Sequence, residues 1–128
     1  MLKKTIVYTD FNGVERKEDF YFHLSRAELM KMELGTKGGF TEMIEKIIAA
    51  QDSVALTTIF NDIILKAYGK KSDDGRKFMK SKEISEDFEQ TEAYSILFME
   101  LISDAKKAAD FFNGIVPADL ETSTPTNS

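Results

Sequence analysis

The chain has 128 residues, a mass of 14.5 kDa and a net charge of −5. This negative net charge argues against nucleic-acid binding, because phosphate binding needs clustered Lys and Arg. The lack of cysteine excludes disulfides, thiolate zinc sites and cysteine nucleophiles. No apolar run approaches the roughly 20 residues that span a bilayer, and no secretory signal is expected from the opening residues.

The first two predicted elements are the strands of a β-hairpin, over residues 3–9 and 14–24, joined at Asp10-Phe11-Asn12-Gly13. A two-residue turn at Asn12-Gly13 would mix the apolar and polar faces of the strands. A three-residue loop with a left-handed Gly13, as in a G1 bulge, would keep the apolar side chains together. We therefore predict the bulged form, with one face formed by Ile6, Tyr8, Phe20 and Phe22.

Helical patterns follow the hairpin. The capping box Ser25-Arg26-Ala27-Glu28 predicts a short helix that stops at Gly35. Three glycines, Gly35, Gly38 and Gly39, then predict a flexible connection. A second helix is expected over residues 40–50, with the apolar stripe Phe40, Met43, Ile44, Ile47 and Ile48. A third helix, capped by Asp52 or Ser53 and ended by Gly69, is expected to bury Leu56, Ile59, Phe60, Ile63, Ile64 and Tyr68.

The second half of the chain predicts a polar segment and three more helices. Residues 70–81 read as a loop or small hairpin around Asp73-Asp74-Gly75. Ser81 begins a weak helix carrying Ile84 and Phe88, and Thr91 caps the next, whose stripe is Tyr94, Leu97, Phe98, Leu101 and Ile102. Ser103-Asp104 reads as a bend or a fresh cap, and the last helix is expected to stop at Asn113-Gly114.

These elements predict an α+β fold, in which an N-terminal β-hairpin packs on a mostly α-helical bundle of about five helices. The length suits a single globular domain over residues 1–117. Residues 118–128 are Thr, Ser, Asn and Pro rich with little to bury, and we expect them to form a disordered polar tail.

The sequence offers little for catalysis. His23 is the single histidine, and we expect it to be a surface or rim residue, since it lacks an evident nucleophile or metal set. Asp73-Asp74-Gly75 superficially resembles a calcium loop, but the neighbouring lysines and arginine favour a tight turn. The acidic residues between 83 and 92 are expected to form a solvated face. We predict no catalytic, cofactor-binding or metal-binding residues.

Apolar side chains beyond the needs of one core point to binding. On the short helix, Leu29 and Met32 fall on one side and Met30 on another, so one stripe is a candidate contact strip. The end of the last helix is also apolar. The alternative is that all of these residues pack into the core. The predicted partner-binding residues are Leu29, Met30, Met32, Phe111, Phe112, Ile115 and Val116.

Three segments together resemble a known family. They are DFNGVERKEDFYFHLSRAELMKMEL, GGFTEMIEKIIAAQD and TEAYSILFMELISDAKKAADFFNGIVP. These strings are similar to the tail assembly chaperones of long-tailed, siphovirus-type bacteriophages and prophages. The resemblance covers residues 1–117, and it carries no catalytic signature.

The resemblance implies a chaperone and not an enzyme. Such a protein binds the tape-measure protein, keeps it soluble and helps recruit tail-tube subunits during tail morphogenesis. It acts in the host bacterial cytoplasm without nucleic acid, membrane or cofactor, and it is not expected in the mature virion. A longer, frameshifted form of the chain is a further implied partner, and self-association is left open. The competing functions are a small structural virion protein, such as a tail connector or completion protein, and a small hydrolase or metal-dependent enzyme.

Overall fold

A computed structural model of the chain describes residues 1–32 and 53–117, together with Glu42, Glu45 and Ala49. Within these residues four strands form one antiparallel sheet in the order β1-β2-β3-β4. Five helices whose bounds lie within the described ranges accompany the sheet, which confirms the predicted α+β class. The strands are β1 (Leu2–Thr9), β2 (Glu15–Phe22), β3 (Tyr68–Lys71) and β4 (Phe78–Met79). The helices are α1 (Arg26–Lys31), α2 (Ser53–Ala67), α3 (Lys82–Glu89), α4 (Glu92–Ser103) and α5 (Ala105–Ile115).

The β1–β2 hairpin has the predicted bulged loop. Asp10 N donates to Val14 O at 2.8 Å, so three residues connect the strands, and Gly13 has a φ of 82°. Only this left-handed conformation closes the loop, which is why glycine stands there. The register that results puts the apolar residues of both strands on one buried face, as predicted: Ile6, Tyr8, Phe20 and Phe22.

Helix α1 begins at the predicted capping box. Ser25 Oγ accepts a hydrogen bond from Glu28 N at 3.1 Å, and Glu28 Oε1 accepts one from Ser25 N at 2.8 Å. The helix ends at Lys31, and Met32 is its C-cap. The predicted stop at Gly35, the glycine connection and the apolar stripe of the helix over residues 40–50 lie outside the described residues. Glu42, Glu45 and Ala49 are helical and exposed.

The predicted end of the third helix at Gly69 was wrong. Tyr68 and Gly69 belong to β3 and not to the end of α2, which closes at Ala67. Tyr68 is still buried, but it reaches the core from the sheet, opposite Phe22. Gly69 is needed for a close approach, since a Cβ there would lie 2.8 Å from Met79 O and 2.7 Å from the Phe78 ring. The helical pattern of apolar residues in the sequence continues past Ala67, the true end of the helix, because Tyr68 is an apolar residue whether it belongs to a helix or to a strand.

The polar segment after β3 is the small hairpin that the sequence left as one of two alternatives. Its turn is closed by Gly75 N donating to Ser72 O at 2.9 Å, with Gly75 at a φ of 76°. Asp74 Oδ1 accepts from Ser72 Oγ at 2.8 Å and from Arg76 N at 3.0 Å. Asp74 therefore stabilises the turn, as the turn reading of this motif predicted.

The last three helices start where the sequence predicted: Thr91 is the predicted cap, Ser81 caps the helix that it was expected to begin, and Ser103-Asp104 is the cap and not the bend of its two alternatives. The side chains of Ser81, Thr91 and Asp104 accept hydrogen bonds from backbone N–H groups in the first turns of α3, α4 and α5. The predicted stop at Asn113-Gly114 was wrong, because α5 continues to Ile115. Its end is held instead by Leu24 N, which donates to Ile115 O at 2.6 Å. Residues 118–128 lie outside the described residues.

The core lies between the inner face of the sheet and the helices, and it is rich in aromatic rings. The ring centroid of Phe22 lies 5.6 Å from that of Tyr68, 5.8 Å from that of Phe88 and 5.2 Å from that of Phe111. Tyr68 and Phe88 stack at 4.3 Å with an interplanar angle of 18°. One ring from β2 thus contacts rings from β3, α3 and α5, which fixes these elements relative to one another.

The close approach at Gly69 gives a stability prediction. Gly69→Ala would press a methyl group against the backbone oxygen of Met79, so we expect a loss of about 1–3 kcal/mol in unfolding free energy. Lys70→Ala, one residue further along the same strand on an exposed side chain, is the control and is expected to change little. Urea denaturation measures both. Equal stability of the two variants would contradict the close approach.

Candidate interaction surface

The structure buries five of the seven predicted partner-binding residues. Leu29 has no exposed surface, and its side chain points from α1 into the core. The C-terminal run of α5 is also buried, at exposures of 3% or less: Phe111, Phe112, Ile115 and Val116. These positions match the core alternative weighed in the sequence analysis. In this folded state these five side chains belong to the core.

The two methionines of α1 differ in exposure. Met30 is 70% exposed. Met32 is half-buried against the core and lines a small cavity of about 200 Å³ together with Leu24, Glu28, Lys31 and Lys66. A single exposed methionine beside such a cavity is a small apolar feature, and the described part of α1 carries no continuous strip.

A charged network anchors α1 to the sheet. Lys80 Nζ donates to Glu28 Oε2 at 2.6 Å and to His23 O at 2.7 Å. Burial lowers the pKa of Lys80, although the neighbouring carboxylate opposes that shift. Burial alone would raise the pKa of Glu28, but the hydrogen bonds from Lys80 and Ser25 N outweigh it, so the pKa of Glu28 is lowered. Glu28 is therefore charged at neutral pH.

His23 is half-buried at the end of β2, which agrees with the predicted rim position. Its ring meets Phe78 edge-on at 6.3 Å. Burial lowers the pKa of His23, and the positive charge of Lys80 lowers it further, so the imidazole is neutral at pH 7. No group of three His, Asp or Glu side chains within the described residues is arranged to hold a metal ion.

Helix α4 carries apolar side chains on more than one of its faces. Eight of its twelve residues are Ala, Tyr, Ile, Leu, Phe or Met, more than one buried face can use. Ala93, Leu97 and Leu101 are buried against the core. On the outer side, Ile96 is 43% and Met99 is 56% exposed.

The exposed residues of α4 form a strip that we call the α4 strip, defined by Ile96, Met99 and the half-buried Ile102. Residues three apart are neighbours on a helix surface, so these side chains form a row along the helix. Glu100, which is four residues after Ile96, forms two ion pairs. Its Oε1 lies 3.6 Å from Lys4 Nζ, and its Oε2 lies 3.5 Å from Lys107 Nζ. These ion pairs hold the flank of the strip against β1 and α5.

At its C-terminal end the α4 strip leads into an apolar groove between three helices. The groove has a volume of about 230 Å³. Small molecules usually occupy roughly 300–1,000 Å³, so this groove suits one or two side chains of another polypeptide. Its lining comes from α2, α4 and the start of α5: Leu56, Phe60, Leu101, Ile102, Ser103, Ala105 and Ala108.

Sequence reasoning missed the exposed half of this surface. It assigned a single stripe to α4 and left Ile96 and Met99 without a role. The signal was present, since apolar residues at Ile96 and Met99 cannot share one helix face with Leu97 and Leu101. The groove itself depends on how α2, α4 and α5 meet, which local periodicity does not report.

An apolar strip that runs into a groove is typical of domains that bind other polypeptides. The model of a protein family described as phage tail assembly chaperone matches residues 1–127. The chain belongs to this family, and it is a phage tail assembly chaperone. No curated protein and no solved structure gives a significant match to the chain. Among the described residues, no helix combines the length and the apolar character that a membrane span requires.

Leu29 and Met30 are neighbours on α1 but differ in burial. Leu29→Ala should lower the unfolding free energy by about 2–5 kcal/mol, because it opens a cavity in the core. Met30→Ala, at the next position but exposed, should change it by less than about 0.5 kcal/mol. Thermal and urea denaturation of both variants measure the difference. A Leu29→Ala protein as stable as the parent would contradict the buried position of this side chain.

The lowered pKa of Glu28 predicts a dependence of stability on acid. The carboxylate stabilises the fold above its ordinary pKa of 4.5, and this contribution is lost as the pH falls through the lowered pKa of the folded state. Glu28→Gln keeps the capping geometry but cannot ionise, so its stability should fall less between pH 5 and pH 3 (about the range over which an Asp or Glu titrates). Glu89→Gln, an exposed change, is the control and should track the parent protein.

Proposed function

We propose that this chain binds the tape-measure protein of its phage through the α4 strip and the adjoining groove. Binding keeps that long protein soluble until tail-tube subunits assemble around it, and the chaperone helps to recruit those subunits. Its place of action is the host bacterial cytoplasm, and it does not remain in the mature virion. The observation that carries the proposal is the exposure of Ile96 and Met99 beside a groove on a chain of this family.

The shape of the surface supports a helical client. A helix that binds in a groove presents apolar side chains at intervals of three and four residues. The α4 strip has the same spacing, and the groove receives one or two larger side chains at its end. Two helices packed in this way bury apolar residues of both. This removes from water the apolar surface that drives the client to aggregate.

The charge of the chain supports a holding role. A protein that covers apolar client surface must itself stay soluble, and a net charge of −5 gives like-charged copies that repel one another. Charged side chains also border the client surface, with Glu100, Lys107 and Lys4 beside the strip. They give the rim a polar character that is usual around an apolar binding patch.

The direct test is co-expression with the tape-measure protein. The double variant Ile96→Ser/Met99→Ser removes the exposed half of the α4 strip and leaves the buried residues in place. We expect about ten-fold weaker binding, as for the loss of roughly 1.4 kcal/mol at an interface, and more tape-measure protein in the insoluble fraction. Quantitative pull-down and the soluble fraction of the tape-measure protein are the measurements.

The matched control changes two exposed apolar residues at the far end of the hairpin. Phe11→Ser/Val14→Ser alters a similar amount of exposed hydrocarbon away from α4. Normal client solubility with the α4 variant, and unchanged binding, would contradict the assigned surface. Recovery of the chain from purified virions would instead favour the structural alternative, a tail connector or completion protein.

A further inference from the structure

The groove at the C-terminal end of the α4 strip reaches buried hydrocarbon, and small residues keep it open. Phe60, Leu101 and Ala108 line it at exposures of 2% or less, so they form its floor. Ser103 and Ala105 are its exposed lining residues, so they lie at its mouth. A larger side chain at either of these two positions would occupy the space that the groove now offers.

The groove offers little to a polar side chain. None of the described residues that line it carries a charge. The hydroxyl of Ser103 donates to Met99 O at 2.6 Å, so its proton is already used within α4. The carboxylate of Asp104, the next residue, accepts from the backbone N–H groups of Lys106 and Lys107 at 3.0 and 3.1 Å. A charged or amide side chain entering the groove would lose water without gaining an equivalent partner.

The size of the groove suits one large hydrocarbon side chain. An apolar cavity of about 150 Å³ is sufficient for a benzene ring, and this groove has about 230 Å³. Ile102 belongs both to the α4 strip and to the lining of the groove. A helix that lies along the strip therefore brings one of its side chains to the groove while it covers Met99.

The length of the strip sets the spacing of the matching residues. From Ile96 to Ile102 the α4 helix rises about 9 Å, which is somewhat less than two turns. A client helix that covers this distance contributes apolar residues at positions i, i+3 or i+4, and i+7. The residue at the groove end of this row is the one that enters the groove.

We propose that Ala105 determines the specificity of this surface, and that the groove selects a client helix whose apolar row ends in one large hydrocarbon side chain. This inference rests on the proposed function, because it names the chemistry of the client segment that the α4 strip binds. A phenylalanine, leucine or methionine fits at that position, whereas a carboxylate or an amide is rejected for lack of a partner. Ala105 keeps the mouth wide enough for the side chain to enter.

Ala105→Phe tests this role by filling the groove from within the chain. The new ring takes the place of the client side chain, so binding of the co-expressed tape-measure protein should weaken roughly ten-fold. The same ring covers Leu56 and Ile102, so the melting temperature should rise by roughly 2–4 °C. A substitution that only damaged the fold would lower both quantities. Opposite changes in binding and stability therefore identify a filled groove.

The matched control is Ala109→Phe, which adds the same ring to an exposed position of α5 outside the groove. It should bind the tape-measure protein as the parent does. Normal binding by Ala105→Phe, or an equal loss in both variants, would overturn the role of Ala105. The proposed function would still stand if Ile96→Ser/Met99→Ser weakens binding, and it fails separately if that variant binds normally.

Benzene tests the groove without the tape-measure protein. In methyl NMR spectra of the full chain, benzene should shift the signals of Leu56, Leu101 and Ala108 in a saturable way, whereas acetate should leave them unchanged. Ala105→Phe should abolish the benzene shifts. Equal shifts with both probes, or none with benzene, would overturn the selection of hydrocarbon. This measurement on the parent chain also decides the matter if Ala105→Phe does not fold.

Discussion

The packing of aromatic rings around Phe22 holds the described fold together. Phe22 lies at the end of β2, with no exposed surface, and contacts one ring from each of three other elements. Those contacts depend on the hairpin register, because a shift of one residue would turn Phe22 to the solvent side of the sheet. The left-handed Gly13 at the loop fixes that register. A small turn thereby determines the position of α3 and α5.

Local features of the sequence were good guides to local structure. Capping side chains predicted the starts of α1, α3, α4 and α5, since a cap is a contact between residues two or three positions apart. The hairpin register was also predictable, because only one loop length keeps the apolar faces together. The polar turn at Asp74 followed from the conformational freedom of Gly75 and the hydrogen bonds of a short carboxylate.

Predictions failed where distant contacts decide. The sequence placed Tyr68 in a helix. Tyr68 lies in the sheet instead, because it pairs with Phe22, and a partner so far away along the chain is not visible in the local pattern. The stop at Asn113-Gly114 was overridden by the contact between Leu24 N and Ile115 O. The same limit applies to the binding surface. The surplus of apolar residues was visible in the sequence, but its distribution between core and surface was set by packing, which buried Phe111 and exposed Met99.

The bond between Leu24 and Ile115 joins positions near the two ends of the described chain. The ribosome synthesises the hairpin before α5, and its exit tunnel covers the newest stretch of chain. The ring of Phe22 is therefore exposed to water without its contact to Phe111 until residues 105–115 have left the tunnel. The nascent chaperone therefore passes through a period in which the apolar side chains of its own hairpin are exposed.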